Sequence, residues 1–229
     1  MNMTMNLMSD FSLKDDFLIV ALDFDNSQEV LDLIKKIPEV SFYKVGMELF
    51  FSQGPDIIHK LKSLGKKVFL DLKINDIPKT IEKSIKKLSS YDVDYITIFT
   101  KQDGIKAAIE GVAGRKTKVL NVTVLTSEPA TCEDVLFRAH LSYDSGAHGI
   151  ICSGLETKEI RNQVTDSDFI IVNPGIRMFK DNDDQVRIVT PVEALNAGAS
   201  NIVVGRPITQ AKDPLAIVKS IYTSLLKFE

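Results

Sequence analysis

Four charged residues stand out by type and spacing: Lys44 in FYKVGMEL, and Asp71, Lys73 and Asp76 in DLKINDIPKT. An ammonium poised beside carboxylates is the kind of charge pairing that perturbs ionisation and marks functional sites. Residues two apart on a strand point to the same side, so Asp71 and Lys73 project together. Lys44, on the preceding strand, reaches the same layer. A single buried charge there is costly. An alternating row of Lys44, Asp71, Lys73 and Asp76 neutralises itself while keeping an ammonium beside carboxylates. A structural ion pair or a solvated strand end explains any one of these residues as well. Four at the same end of adjacent strands favour a functional site.

Other polar residues interrupt apolar runs at equivalent places. Asp23 lies in ALDFD, Thr126 and Ser127 end VLTS, Arg177 ends NPGIR, and Gly205 with Arg206 lies in VVGRPIT. Glycine admits a close backbone approach, and the arginine fork matches phosphate oxygens. The segment RMFKDNDDQVRIVT, 177–190, is a long polar connection of the kind that forms binding loops or disordered surface. His59, His140 and His148 show no metal-ligand or His–carboxylate spacing, and no metal site is expected.

The elements that must position these residues recur regularly. Strand-like runs occupy 17–24, 42–49, 67–74, 95–100, 118–126, 149–154, 168–176 and 201–208. They suit strands buried on both faces of a parallel sheet. Helical segments with cap signals lie between them. Asn26 with Glu29, and Thr190 with Glu193 behind Pro191, have capping-box spacing. Asp213–Pro214 opens the last helix, and Gly65, Gly146 and Gly198 stand at helix exits. Eight such units of roughly 26 residues predict an α/β fold, a single-domain (β/α)8 TIM barrel. The rival, a doubly wound open sheet, lacks its G-x-G-x-x-G fingerprint. In a barrel the catalytic residues belong at the carboxyl ends of the strands, where these polar residues fall.

Composition bounds the rest. The chain has 229 residues, of which 44% are hydrophobic and 26% charged, enough for one substantial core. Lys plus Arg total 28 and Asp plus Glu 31, a net charge of −3, so no nucleic-acid footprint is expected. No apolar run is long enough for a membrane span, and no secretory signal opens the chain. Cys132 and Cys152 form no disulfide framework, which fits a reduced, cytoplasmic protein, and Cys152 is expected to fill core space. Residues 1–16 read as a frayed extension and 17–229 as the barrel domain.

The chain resembles the short bacterial orotidine 5′-phosphate decarboxylases. The resemblance runs from ALDFD to the last helix. It is carried by YKVGMELF (43–50), DLKINDIPKT (71–80), TVLTS (123–127), NPGIR (173–177), DDQVRIVTP (183–191) and VVGRPIT (203–209). It implies cofactor-free decarboxylation of orotidine 5′-phosphate to UMP, the last step of pyrimidine synthesis. Lys73 would protonate C6 of the pyrimidine, and Asp71 would sit beside the substrate carboxylate. Lys44 would bond the ribose and orient Asp71, and Asp23 would bind a ribose hydroxyl. Thr126 and Ser127 would meet the pyrimidine. Gln185, Gly205 and Arg206 would hold phosphate, with Arg177 supporting the closing loop. Asp76 and Thr80 would cross a homodimer interface into the partner's site. The usual DLKFHDIPNT has Asn75 and Lys79 here in place of its His and Asn, and Met178 stands where proline is usual. The fourth strand ends FTKQDG rather than in a His-Ala-Ser-Gly-like stretch, so no site residue is carried over from it.

Two other readings stand beside this one. A magnesium-dependent sugar-phosphate lyase or decarboxylase of the same structural group shares DxKxxD, and sensitivity to EDTA separates it. A catalytically dead barrel that binds a phosphorylated ligand would bind UMP without turnover.

Overall fold

The apolar runs become strands because β-branched residues buried on both sides need neighbours on both faces, which a closed sheet wrapped in helices supplies. The computed structural model describes residues 16–125, 128–177 and 189–226. The chain runs β1 (Leu18–Leu22), α1 (Ser27–Lys36), β2 (Phe42–Gly46), α2 (Met47–Gln53), α3 (Asp56–Ser63), β3 (Lys67–Ile74), α4 (Pro78–Ser89) and β4 (Tyr95–Ile98). It continues α5 (Gln102–Gly111), β5 (Lys118–Val122), α6 (Cys132–Asp144), β6 (Gly149–Ile151), α7 (Thr157–Gln163) and β7 (Ile170–Asn173). It closes with α8 (Pro191–Asn196), β8 (Asn201–Val204), α9 (Arg206–Thr209) and α10 (Pro214–Leu226). Each strand pairs in parallel with the next, and β1 pairs with β8, so the sheet is a closed eight-stranded barrel. Closure excludes the open doubly wound sheet.

Inside the barrel, Ile19, Ala21, Phe42, Phe69, Leu120 and Val203 interdigitate as a packed core. Tyr95 stands edge-on to Phe42 and Phe69, with ring centroids 5.0 and 5.9 Å away, and donates to Asn201 Oδ1 at 3.2 Å. The amino-terminal end is thereby filled, and the carboxyl end is left to polar residues. Gly149 allows β6 and β7 to meet, because a Cβ there would stand 2.2 Å from the Ile170 carbonyl oxygen. Outside, the apolar faces of the helices cover the strands in a continuous layer that includes Val30, Ile57, Ile81 and Ile105.

The helix punctuation works as its chemistry requires. Thr190 and Glu193 form a reciprocal capping box with Pro191 at the first turn, an arrangement worth about 1 kcal/mol. Asn26 accepts the Glu29 amide at 3.0 Å, and Asp213 accepts that of Ala216 at 3.0 Å. Gly65, Gly146 and Gly198 take φ of 70°, 85° and 98°, the left-handed exit that glycine provides.

Several runs are longer than the strands they contain. The run 42–49 divides at Gly46 into β2 and α2, and 201–208 divides at Gly205 into β8 and α9. Leu49 and Ile208 are fully buried on those helices, so apolar character continues after the strand has ended. The described residues therefore hold ten helices rather than eight. Asp16 lies at the foot of the barrel, accepting from Ser41 Oγ at 2.7 Å and pairing with Lys67. The rest of the expected extension, 1–15, lies outside the described residues. Among these residues no helix is long and apolar enough to cross a membrane.

Candidate active site

All eight strands are parallel, so their carboxyl ends open at one mouth, and the charged residues gather there. The β1–β2 register places Ala21 opposite Lys44, and the β2–β3 register places Gly46 opposite Asp71. Lys44 Nζ stands 3.2 Å from Asp23 Oδ1 and 3.7 Å from Asp71 Oδ2. Lys73 Nζ is 2.9 Å from both carboxylate oxygens of Asp71. The result is an alternating chain of Asp23, Lys44, Asp71 and Lys73. The Asp71 side chain is 12% exposed and that of Lys44 14%, against 29% for Lys73, so of the two lysines Lys73 is the more open to the mouth.

The row differs from the expected one at its far end. Asp76 does not join it within the chain. Its side chain is exposed, and Oδ1 accepts the Ile77 amide at 2.7 Å. The reason is local: residues 75–77 turn the chain from β3 into α4, with Pro78 at the first turn, and the carboxylate satisfies the turn's own backbone. Thr80 is exposed one turn into α4, and Lys79 is held by Glu82 at 2.7 Å on the same helix. Asp23 takes the place in the row that spacing gave to Asp76.

Burial opposes ionisation of Asp71. The Lys44 and Lys73 ammonium groups, with hydrogen bonds from Lys73 and Thr97, nevertheless hold its carboxyl below the usual 3.8. The mouth thus keeps an ionised carboxylate between two cations.

Lys73 has φ of 48°, in the left-handed region, and the β3–β4 register shifts between Leu70 and Ile74. A side chain there costs about 1–2 kcal/mol, so the surroundings must hold it. Part of that hold comes from Thr97, a residue that the motifs do not single out. Its hydroxyl donates to Asp71 Oδ1 at 2.8 Å and accepts the Lys73 amide at 2.9 Å. A signal for it exists in the sequence: Thr97 is the polar residue at an inward position of the otherwise apolar YITI.

Gly205 follows β8 beside the end of β1, where an added Cβ would stand 3.4 Å from Asp23 Oδ2. Arg206 follows it as an exposed residue at the start of α9. Arg177 donates its amide to the Val189 carbonyl at 3.2 Å, and Ile176 bridges Val189, so the two ends of the 177–189 segment are tied together. Gln185 within that segment, and Thr126 and Ser127 after β5, lie outside the described residues. Cys152 is fully buried behind β6, where its carbonyl accepts from Asn173 at 3.0 Å. Among the described residues no three His, Cys, Asp or Glu side chains are grouped to hold a metal ion.

The profile of the orotidine 5′-phosphate decarboxylase / HUMPS family matches residues 16–221. An orotidine 5′-phosphate decarboxylase from Oenococcus oeni is 44% identical over 222 residues, covering 89% of this chain and 96% of that protein. One from Staphylococcus haemolyticus is 40% identical over 228 residues, covering 92% and 99%. The crystal structure of orotidine 5′-phosphate decarboxylase from Lactobacillus acidophilus superimposes with a TM-score of 0.79 at 38% identity, covering 91% of this chain and 98% of that one.

Proposed function

The chain belongs to the orotidine 5′-phosphate decarboxylase / HUMPS family, and we propose that it converts orotidine 5′-phosphate to UMP and carbon dioxide at the mouth of its barrel. The observation that carries this reading is the Lys73 ammonium, held 2.9 Å from both oxygens of an ionised Asp71 and flanked by Lys44. Relatives at 40–44% identity carry the decarboxylase name, which favours this reading over a sugar-phosphate lyase.

The chemistry asks for this arrangement. Breaking the bond from C6 to its carboxylate leaves an electron pair on C6 that the ring delocalises poorly. A fixed ammonium beside C6 lowers the energy of that charge without reorganisation, because the protein has already oriented it. The proton then passes from Lys73 Nζ to C6, giving UMP, and solvent restores the ammonium. Asp71 holds Lys73 in place and sits beside the departing carboxylate. Lys44 balances Asp71 and, with Asp23, meets the ribose.

The phosphate end of the substrate is assigned to Gly205 and Arg206, with Gln185 and Arg177 from the stretch after β7. Thr126 and Ser127 are assigned to the pyrimidine. These roles rest on the resemblance. The phosphate is remote from the bond that breaks, so its binding energy serves the distant chemistry. Arg206→Ala is expected to raise KM by about 10–100-fold while kcat falls less, because a charge-assisted bond to phosphate is lost. Unchanged affinity for UMP in that variant would place the phosphate elsewhere.

We further propose that two copies of the chain share their sites. Asp76 and Thr80 are exposed beside Ile77, an apolar side chain left 67% exposed. Met47 and Phe51, on the helix that follows the neighbouring strand, are 44% and 75% exposed. A second copy would cover this apolar surface and receive Asp76 and Thr80 at its mouth. Mixing inactive Lys73→Ala and Asp76→Ala chains is then expected to restore about a quarter of wild-type activity, since half the dimers are mixed and each has one intact site. No restoration after verified subunit exchange would place Asp76 outside the partner's site.

A further inference from the structure

Thr97 is fully buried on β4, and its one hydroxyl serves two partners. It donates its hydrogen to Asp71 Oδ1 at 2.8 Å and accepts the Lys73 amide at 2.9 Å. A hydroxyl has one hydrogen and two lone pairs, so the two bonds do not compete. The Lys73 amide lies where the β3–β4 register is interrupted, and Lys73 itself is left-handed. A side-chain oxygen thus stands in for the strand partner that a regular ladder would give that amide.

We propose that Thr97 is a positioning residue for the decarboxylation, fixing through one hydroxyl both the kinked backbone of Lys73 and the carboxylate that holds its ammonium. This rests on the function proposed above. Both ends of the Lys73–Asp71 pair are tied to the same oxygen, so the pair keeps one geometry. Without that oxygen the Lys73 amide loses a partner and the Asp71 carboxylate is free to rotate. A misplacement of about 1 Å at the reacting centre is enough to cost two orders of magnitude in rate.

The test compares the full-length wild-type chain with Thr97→Val, which keeps the shape and removes the hydroxyl, and Thr97→Ser, which keeps the hydroxyl. Thr97→Val is expected to lower kcat for orotidine 5′-phosphate by about 10–100-fold, the effect of losing a hydrogen bond to a charged group. KM should stay within about threefold, since substrate binding is not what is lost. Thr97→Ser should recover kcat to within about threefold of wild type. The second readout is the titration of the Asp71 carboxyl carbon by NMR, assigned by its absence in Asp71→Asn. Removing a donor to the carboxylate should move that titration to higher pH, and Thr97→Ser should return it. Thr97→Ala carries the same reading should Thr97→Val not fold. Wild-type kcat with an unmoved titration in Thr97→Val would overturn the proposal, as would a loss that Thr97→Ser does not repair. Should the wild-type chain fail to turn over orotidine 5′-phosphate, the proposed function falls. The Asp71 titration then decides for Thr97 alone: a reversible upward shift supports it, and no shift overturns it.

Discussion

Lys73→Ala is expected to lower turnover of orotidine 5′-phosphate by about 10⁴-fold or more, with the barrel still folded. Two functions leave with one ammonium. Electrostatic stabilisation at a developing charge contributes about 10²–10³-fold, and a positioned proton donor about 10²–10⁴-fold, with the two not strictly additive. The fold should survive because Lys73 is at the rim and 29% exposed, not in the apolar interior. Asp71 keeps Lys44 as an ion-pair partner at 3.7 Å, and no cavity opens among packed strands. Circular dichroism and UMP binding check the fold, and the absorbance assay checks the rate. Near-normal turnover in this variant would remove Lys73 from the chemistry.

The second large effect is expected for Asp71→Asn. The amide keeps the shape of the carboxylate but leaves the Lys44 and Lys73 ammonium groups facing one another with no negative charge between them. Lys73 then keeps at most one of the two 2.9 Å contacts that aim it, and that one without its charge, and kcat is expected to fall by about 10³-fold. Stability should respond with a definite sign. Asp71 is held below its usual value in the folded protein, so its ionised form favours folding above the ordinary value of 3.8. That contribution fades as pH falls through the lower folded value. Asp71→Asn should therefore cost more stability near pH 7 than near pH 3, as read by urea unfolding. An equal cost at both would show that the carboxylate is not held by the two lysines.

Much of the site was legible in the sequence because charges at strand ends are expensive and therefore informative. Asp71 and Lys73, two residues apart on β3, meet as their spacing suggests although the strand kinks at Lys73, and Lys44 reaches them from β2. The barrel was legible for a related reason: buried parallel strands leave continuous apolar runs at a steady interval. Asp76 shows where spacing stops being a guide. It follows the end of β3, and a turn residue obeys its own backbone rather than the alternation of the strand. Asp23 was visible as a charge within ALDFD at the end of the first strand, but its pairing with Lys44 depends on how β1 and β2 are registered, which is a property of the closed sheet. Thr97 was hidden for another reason. One hydroxyl in an apolar strand has many structural explanations, and its two partners appear only when β3 and β4 are placed side by side. The lengths of the strands were overstated where Leu49 and Ile208 continue the apolar pattern on helices.

The most direct measurement is the turnover of orotidine 5′-phosphate by the purified wild-type chain in the presence of EDTA, followed by the change in ultraviolet absorbance as UMP forms. Steady conversion that chelation leaves intact, and that Lys73→Ala abolishes, is the expected result. A wild-type chain that binds UMP but converts no orotidine 5′-phosphate, or one whose activity disappears with the chelator, would contradict it.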